Sequence, residues 1–369
     1  MMVKRNTSIL GIGLVLSLVL CSCSGNAVNE TQQTEADSMS HMQTYSFPKE
    51  YSAEGENVEL NMVVEAPDSS YFIKGKATPQ KLDYEEIGRK LIPKEEAGEL
   101  DPGTQAIVTK ETVGDKGFYK KLFMWGGEGG TYQTYQYSEI YGSLREDERD
   151  SAYNLYKYAE EREFSFGTAS EGLDIVMEEL KNLGITLEDP EVDTYYLDFE
   201  TMKEEEEHYD IDGNKEVDKY KQDWTEQDNY YLYYIHQTYS GMRDYHKGDY
   251  GPSNAQKSNA QIAVIYGEPG IIYLNIADLY SYESDGQEES LLEFNEIADL
   301  LLKHYDNLLD DSEYQVVSAR LCCDFQRNEG ITVEREIRPV WAFSIVETQA
   351  DGYITKYEIR IDAANGKMR

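Results

Sequence analysis

Basic side chains are what this chain most lacks. Lys and Arg number 34 against 71 Asp and Glu, a formal net charge of −37 over 369 residues. A surface of that balance repels phosphate backbones, and nucleic-acid binding, which draws its affinity from Lys and Arg contacts to phosphate, is excluded as a function class. Histidine is scarce as well: the five, at positions 41, 208, 236, 246 and 304, show no His-x-x-x-His spacing and no Glu-linked zinc motif. The sequence holds no Gly-x-Ser-x-Gly elbow either. Catalytic groups can assemble from distant residues, so an enzyme is not excluded, but no motif argues for one. Cysteine numbers four, two of them within the first 23 residues, which rules out a disulfide framework. The apolar run Ile9–Leu20 is twelve residues long, short of the roughly 20 that a spanning helix needs.

That short run is informative in context. It follows Lys4 and Arg5 and leads into Leu20-Cys21-Ser22-Cys23, a layout that resembles a bacterial lipoprotein signal. Cys23 has Leu20 three residues before it and the small Ser22 immediately before it, whereas Cys21 is preceded by the bulky Leu20. Cleavage before Cys23 and lipidation of its thiol are therefore expected. Residues 1–22 read as signal peptide and the mature chain as held on the extracytoplasmic face of the cell membrane by lipid.

Residues 23–46 are rich in Ser, Asn, Gln, Thr and Glu with little to bury, and read as a flexible tether. The rest is expected to divide into an N-terminal α+β domain (47–165) and two similar α+β units (166–284 and 285–369). The first unit opens on the capping box Thr168-x-x-Glu171, with Leu173, Val176, Met177 and Leu180 on one helical face and Gly184 as the stop. The second opens on Ser290-x-x-Glu293, and Leu291, Phe294, Ala298, Leu301, Tyr305 and Leu308 form its stripe. Each helix leads into strand-like runs joined by connections too short for parallel crossovers, which implies α+β antiparallel sheets each with a packed helix. A helix over Tyr141–Glu163 is expected to be solvent-washed. Tyrosine is abundant, 31 against 10 Phe, and runs such as Tyr230-Tyr231-Leu232-Tyr233-Tyr234 suit half-exposed sheets.

Four features invite a chemical reading. Asp210, Asp212, Asn214 and Asp218 place oxygen ligands around Gly213 as a calcium loop requires, although Lys215 and Lys221 occupy positions where an EF-hand has Gly and Glu; a polar hairpin turn explains the same residues. Calcium is the one cofactor the sequence suggests. Glu204–Glu207 form a carboxylate run whose neighbours point in different directions, as on a solvated face. The glycine-rich stretch Trp125–Gly130 lacks the Lys-Ser/Thr of a phosphate-binding loop and reads as a hairpin tip. On a strand from Tyr314 to Phe325, Cys323 shares the apolar face and Cys322 points away, semi-exposed, so the pair does not readily bond to each other.

The closing segment carries a resemblance. Pro339-Val340-Trp341-Ala342-Phe343 and Tyr357–Lys367, with Asp362-Ala363-Ala364-Asn365-Gly366 at the finish, resemble the last strands of PepSY-like domains and of YycH/YycI-type regulators of cell-wall sensor kinases. With its lipobox, tether and Trp224-Thr225-x-x-Asp228 segment, the whole chain is similar to uncharacterised lipoprotein families of Gram-positive anaerobes. The resemblance implies two PepSY-like repeats in the C-terminal half and a non-catalytic binding or regulatory role toward an envelope partner such as a sensor kinase or protease. It brings no catalytic residues. The kinase regulators are anchored by a transmembrane helix, and in that this chain departs from them. The alternatives are a solute-binding lipoprotein of a transporter, which would need two lobes about a deep cleft, and an envelope hydrolase, which would need a pocket joining His236 or His246 to a carboxylate and a nucleophile.

Overall fold

Val58–Glu65 alternates apolar and polar side chains, and the strand it forms buries Val58, Leu60, Met62 and Val64 while Glu59, Asn61, Val63 and Glu65 face outward. The period of two is the signature of a half-buried strand. The computed structural model describes residues 47–369 apart from 68, 70, 101–105, 115–117, 126–128, 145–153, 211, 246–248, 251–255, 258–259 and 328–332. The segments expected to be signal peptide and tether, with Cys23, lie outside the described residues.

The chain begins with β1 (Glu50–Glu54), β2 (Val58–Glu65) and β3 (Tyr71–Pro79). Helix α1 (Tyr84–Leu91), capped by Asp83 accepting from the Glu86 amide, leads into β4 (Ala97–Leu100), β5 (Ile107–Thr109), β6 (Lys120–Trp125) and β7 (Gly129–Thr134). Helix α2 (Tyr135–Leu144) follows, then α3 (Ala169–Asn182), β8 (Glu191–Leu197), α4 (Phe199–Glu205) and β9 (Tyr230–His236). A small hairpin, β10 (Thr238–Tyr239) and β11 (Met242–Asp244), and a ribbon, β12 (Asp249–Tyr250) and β13 (Gln256–Lys257), precede β14 (Ile262–Gly267) and β15 (Gly270–Ala277). The chain ends with β16 (Tyr280–Ser290), α5 (Phe294–Asp306), β17 (Glu313–Arg327), β18 (Arg335–Thr348) and β19 (Ile354–Asp362).

The expected α+β class holds, and so does the plan of a helix leading into antiparallel strands. That plan occurs after α1 (β4 to β7), after α3 (β8, β9, β14, β15) and after α5 (β17 to β19). The first two meanders join through their last strands, β7 and β15, into one eight-stranded sheet. Tyr231, Tyr233 and Ile235 of β9 pack with α1 and α3 on one face, and Tyr230, Leu232 and Tyr234 with α2 and α4 on the other. Burial on both faces is why the tyrosine run is inside rather than half-exposed.

The other sheet has nine strands, in the order β1-β2-β17-β18-β3-β16, with β19 on β18 and β10–β11 attached through β17. Its core is built on Trp341, Phe343, Leu60 and the α5 stripe of Phe294, Ile297, Ala298, Leu301 and Tyr305. Thr44–Arg369 group as one unit. The eight-stranded sheet crosses the boundary expected at 165/166, and the nine-stranded sheet crosses both that one and 284/285, which falls inside β16. Strand pairing between distant segments leaves no trace in local periodicity, so boundaries drawn from element order miss it.

Local expectations meet the structure unevenly. The Thr168–Glu171 capping box is present. Helix α5 starts one turn later than expected: Glu293 is its N-cap, in a box with Glu296, while Ser290 ends β16. Of the helix expected over Tyr141–Glu163, residues 145–153 lie outside the described residues; before them α2 ends at Leu144, burying Ile140 and Leu144, and after them a 3₁₀ turn at Leu155–Tyr158 buries Leu155 and Tyr158.

Candidate functional site

The β10–β11 hairpin turns on Ser240 and Gly241, both at positive φ (53° and 73°), the conformation that matches strand twist in a two-residue loop. The turn lays β11 parallel to β17, with Arg243 opposite Cys322 and Asp244 opposite Cys323. Alternation then sends Arg243 and Asp244 to different sides.

Arg243 reaches from the nine-stranded sheet to β8 of the other. Its Nε donates to Glu191 (2.6 Å) and its Nη1 and Nη2 to the two oxygens of Asp193 (both 2.8 Å). His236 Nε2 donates to the same Asp193 (3.0 Å). Burial opposes the charge on Asp193, but the hydrogen bonds from His236 and Arg243 override it and hold its pKa well below the usual carboxylate range. Burial moves His236 the other way, lowering its pKa against the pull of Asp193. The cluster is an ion pair between sheets with a buried imidazole at its back.

Beside it, Arg320 of β17 stands opposite Glu65 of β2 and donates from Nε to that carboxylate (2.7 Å). Together with Lys49, Val63, Pro67, Glu191, Arg243 and Leu321, Arg320 lines an open cleft of about 450 Å³. The volume falls within the range of small-ligand sites. His236 does not line it.

On the far side of β11, Asp244 is buried among Tyr282, Gln261 and Cys323. Its Oδ2 accepts from the Tyr282 hydroxyl and from Gln261 Nε2 (3.0 Å), and its Oδ1 has no partner among the described residues. Burial pushes its pKa up to about 8, against those two hydrogen bonds.

Apart from His236 and Cys323, the residues singled out in the sequence lie elsewhere. Cys23 and His246 fall outside the described residues. The Asp210 carboxylate accepts from the amides of Asp212 (2.9 Å) and Asn214 (2.8 Å) and from Asn214 Nδ2, and Tyr209 bridges Lys215, so the segment is a polar hairpin turn with Gly213 at φ 82°. Asp218 sits in the separate 3₁₀ turn Val217–Lys219. Among the described residues no group of three or more His, Cys, Asp or Glu stands where it could hold a metal.

The carboxylate run is not uniformly solvated. Glu206 is 4% exposed and accepts from His208 Nε2 (2.9 Å), the Lys221 amide (2.8 Å) and Trp224 Nε1 (3.2 Å). Those three donors offset the cost of burying its charge. Lys221 in turn pairs with Glu139 and Asp228, and the Thr225–Asp228 stretch closes its own capping box.

Cys322 and Cys323 are unbonded and face opposite sides, as alternation predicts, but both are buried: Tyr245, Val340 and Ala342 cover the side where exposure was expected for Cys322. Burial pushes the Cys322 thiol up to about 12, far from a reactive thiolate. The Trp125–Gly130 stretch does join two hairpin strands, β6 and β7.

The closing segment lines a second cleft, of about 320 Å³, where Lys74, Lys76, Glu289 and Arg338 face Asp362 and Asn365. Asp362 holds the last turn by accepting from the amides of Ala364 (3.1 Å) and Asn365 (3.2 Å), and it also accepts from Arg369 Nη2 (2.9 Å).

No protein-family model matches this chain, and comparison with curated proteins gives no match. Among solved structures the chain is similar to an uncharacterized protein from Eubacterium rectale ATCC 33656, with a TM-score of 0.53 and 14% sequence identity, over 87% of this chain and 93% of that one. At that identity, what the two proteins share is the fold.

Proposed function

We propose that this chain is a lipid-anchored extracytoplasmic module of the cell membrane that acts by binding another envelope protein, and that its helix-plus-meander units are PepSY-like. The observation that carries the reading is the open cleft between β2, β8, β11 and β17, where Arg243 and Arg320 are held on strands in a chain of net charge −37. Rigid strands hold both side chains, and carboxylate contacts, from Arg243 to Glu191 and Asp193 and from Arg320 to Glu65, fix the two guanidinium groups in place, the arrangement a recognition site needs. The lipobox at Cys23 supplies the address.

The rival readings find less support. Both sheets are antiparallel except where β17 meets β2 and β11, which differs from the parallel lobes usual in solute-binding proteins. For a hydrolase, His236 does have a carboxylate partner, but Arg243 clamps that carboxylate and the imidazole is 2% exposed.

The test is a surface crosslink on intact cells followed by affinity recovery of the chain. One dominant membrane kinase or protease is expected. Transporter subunits, or no protein at all, would move the weight to solute binding or catalysis. The anchor is tested separately: Cys23→Ser should release the protein from the membrane fraction, and a variant that stays there would remove the lipid from the account.

A further inference from the structure

The arginines of the cleft differ in what they have left to give. Arg243 spends Nε, Nη1 and Nη2 on Glu191 and Asp193. Arg320 spends only Nε, on Glu65, and its terminal Nη1 and Nη2 have no partner among the described residues. A guanidinium is a planar fork, and with Nε engaged the end-on pair Nη1/Nη2 remains, with the spacing of the two oxygens of a carboxylate. The side chain is 17% exposed, and a charge-assisted bond made in such partly desolvated surroundings is stronger than one in open water.

The surroundings restrict the ligand further. Val63 and Pro67 give the cleft apolar walls, and Val63 is 57% exposed. Glu65 and Glu191 stand at the rim against Lys49, and Asp193 balances Arg243, so the local charges nearly cancel. A site of that balance accepts one negative charge and disfavours a phosphate dianion. Its opening to solvent admits the end of a chain.

We propose that this cleft captures the C-terminal carboxylate of a polypeptide whose last residues are apolar, with the Arg320 Nη1/Nη2 pair receiving the carboxylate and Val63 and Pro67 receiving the side chains. The inference rests on the binding role proposed above and names the chemistry that role would use.

The experiment is fluorescence anisotropy with the full chain in detergent and the labelled pentapeptide Gly-Ser-Ala-Val-Leu bearing a free carboxylate. Saturable binding is expected, weakened at least about tenfold when the peptide is a C-terminal amide, as loss of a charge-assisted bidentate contact requires. Arg320→Lys keeps the charge but removes the fork and should weaken binding at least about tenfold. Val63→Glu, at an exposed position that leaves the core untouched, should do the same with an unchanged melting temperature. Equal binding of acid and amide, no binding at millimolar protein, or full affinity in Val63→Glu overturns the proposal. So does competition by free valerate at the concentration at which the peptide itself competes, since the cleft would then read a small acid. Failure here alongside recovery of an envelope partner by crosslinking would leave the binding role standing on another surface.

Discussion

Asp244 is a buried carboxyl whose charge this fold accommodates poorly. Its pKa, pushed up to about 8 by burial from the ordinary 3.8, means that across that window the native chain keeps a proton the unfolded chain has released. Stability therefore falls as pH rises from about 4 to about 8 through this group, the reverse of the usual salt-bridged aspartate. Asp244→Asn keeps an acceptor for Gln261 and Tyr282 and removes the titration. Urea unfolding at several pH values should show a flatter profile and a more stable protein near pH 8; an unchanged slope would mean that Asp244 titrates normally. Little of this was readable from sequence. Alternation correctly sent Cys322 and Cys323 to opposite sides, because that depends only on neighbours. The Arg243–Asp193–His236 cluster joins positions about 50 residues apart, and Arg320–Glu65 a separation of 255. Its one local signal is the Ser240-Gly241 turn.

Helix starts show how far local chemistry carries. Thr168 and Glu171 satisfy each other's capping groups with no help from tertiary structure, so their pattern sufficed. The Ser290–Glu293 pattern is equally good on paper, but Ser290 pairs with Tyr71 on β3 and the ladder claims its backbone. Thr168→Ala should then cost about 1 kcal/mol in urea unfolding, whereas Ser290→Ala should cost well under half of that. A comparable loss at Ser290 would mean that it caps α5 after all. At Pro339 the strand β18 runs on unbroken from Arg335 to Thr348. On the side of β18 away from β17, β3 pairs at Arg335–Glu336 and β19 from Val340 onward, so Pro339 sits between the two ladders, where a missing N–H breaks neither.

At the scale of the molecule, the eight-stranded sheet depends on the joint between β7 and β15. Gly129 lies against β15 so closely that an added Cβ would stand 2.3 Å from the Ile276 carbonyl oxygen and 3.2 Å from Ala277 Cα. Backbone cannot yield as a side-chain tip can. Gly129→Ala should destabilise the protein by about 1–3 kcal/mol, read from chemical denaturation, by forcing the two meanders apart; a neutral substitution would show that the joint is loose. The helix-plus-meander plan was legible because each copy is local. The joining of copies was not, since register between distant strands is settled by packing.

The parallel pairing of β2 with β17 sets an order of events in time. Val58 finds its partner Tyr314 only after nearly the whole chain has been made. The eight-stranded sheet, complete by Ala277, can close while β1, β2 and β3 still wait, their edges open to any other strand nearby. The edge of β2 is thus among the last to be sheltered, although its strand is among the first to be synthesised, and a chain cut short before β17 would leave it permanently exposed.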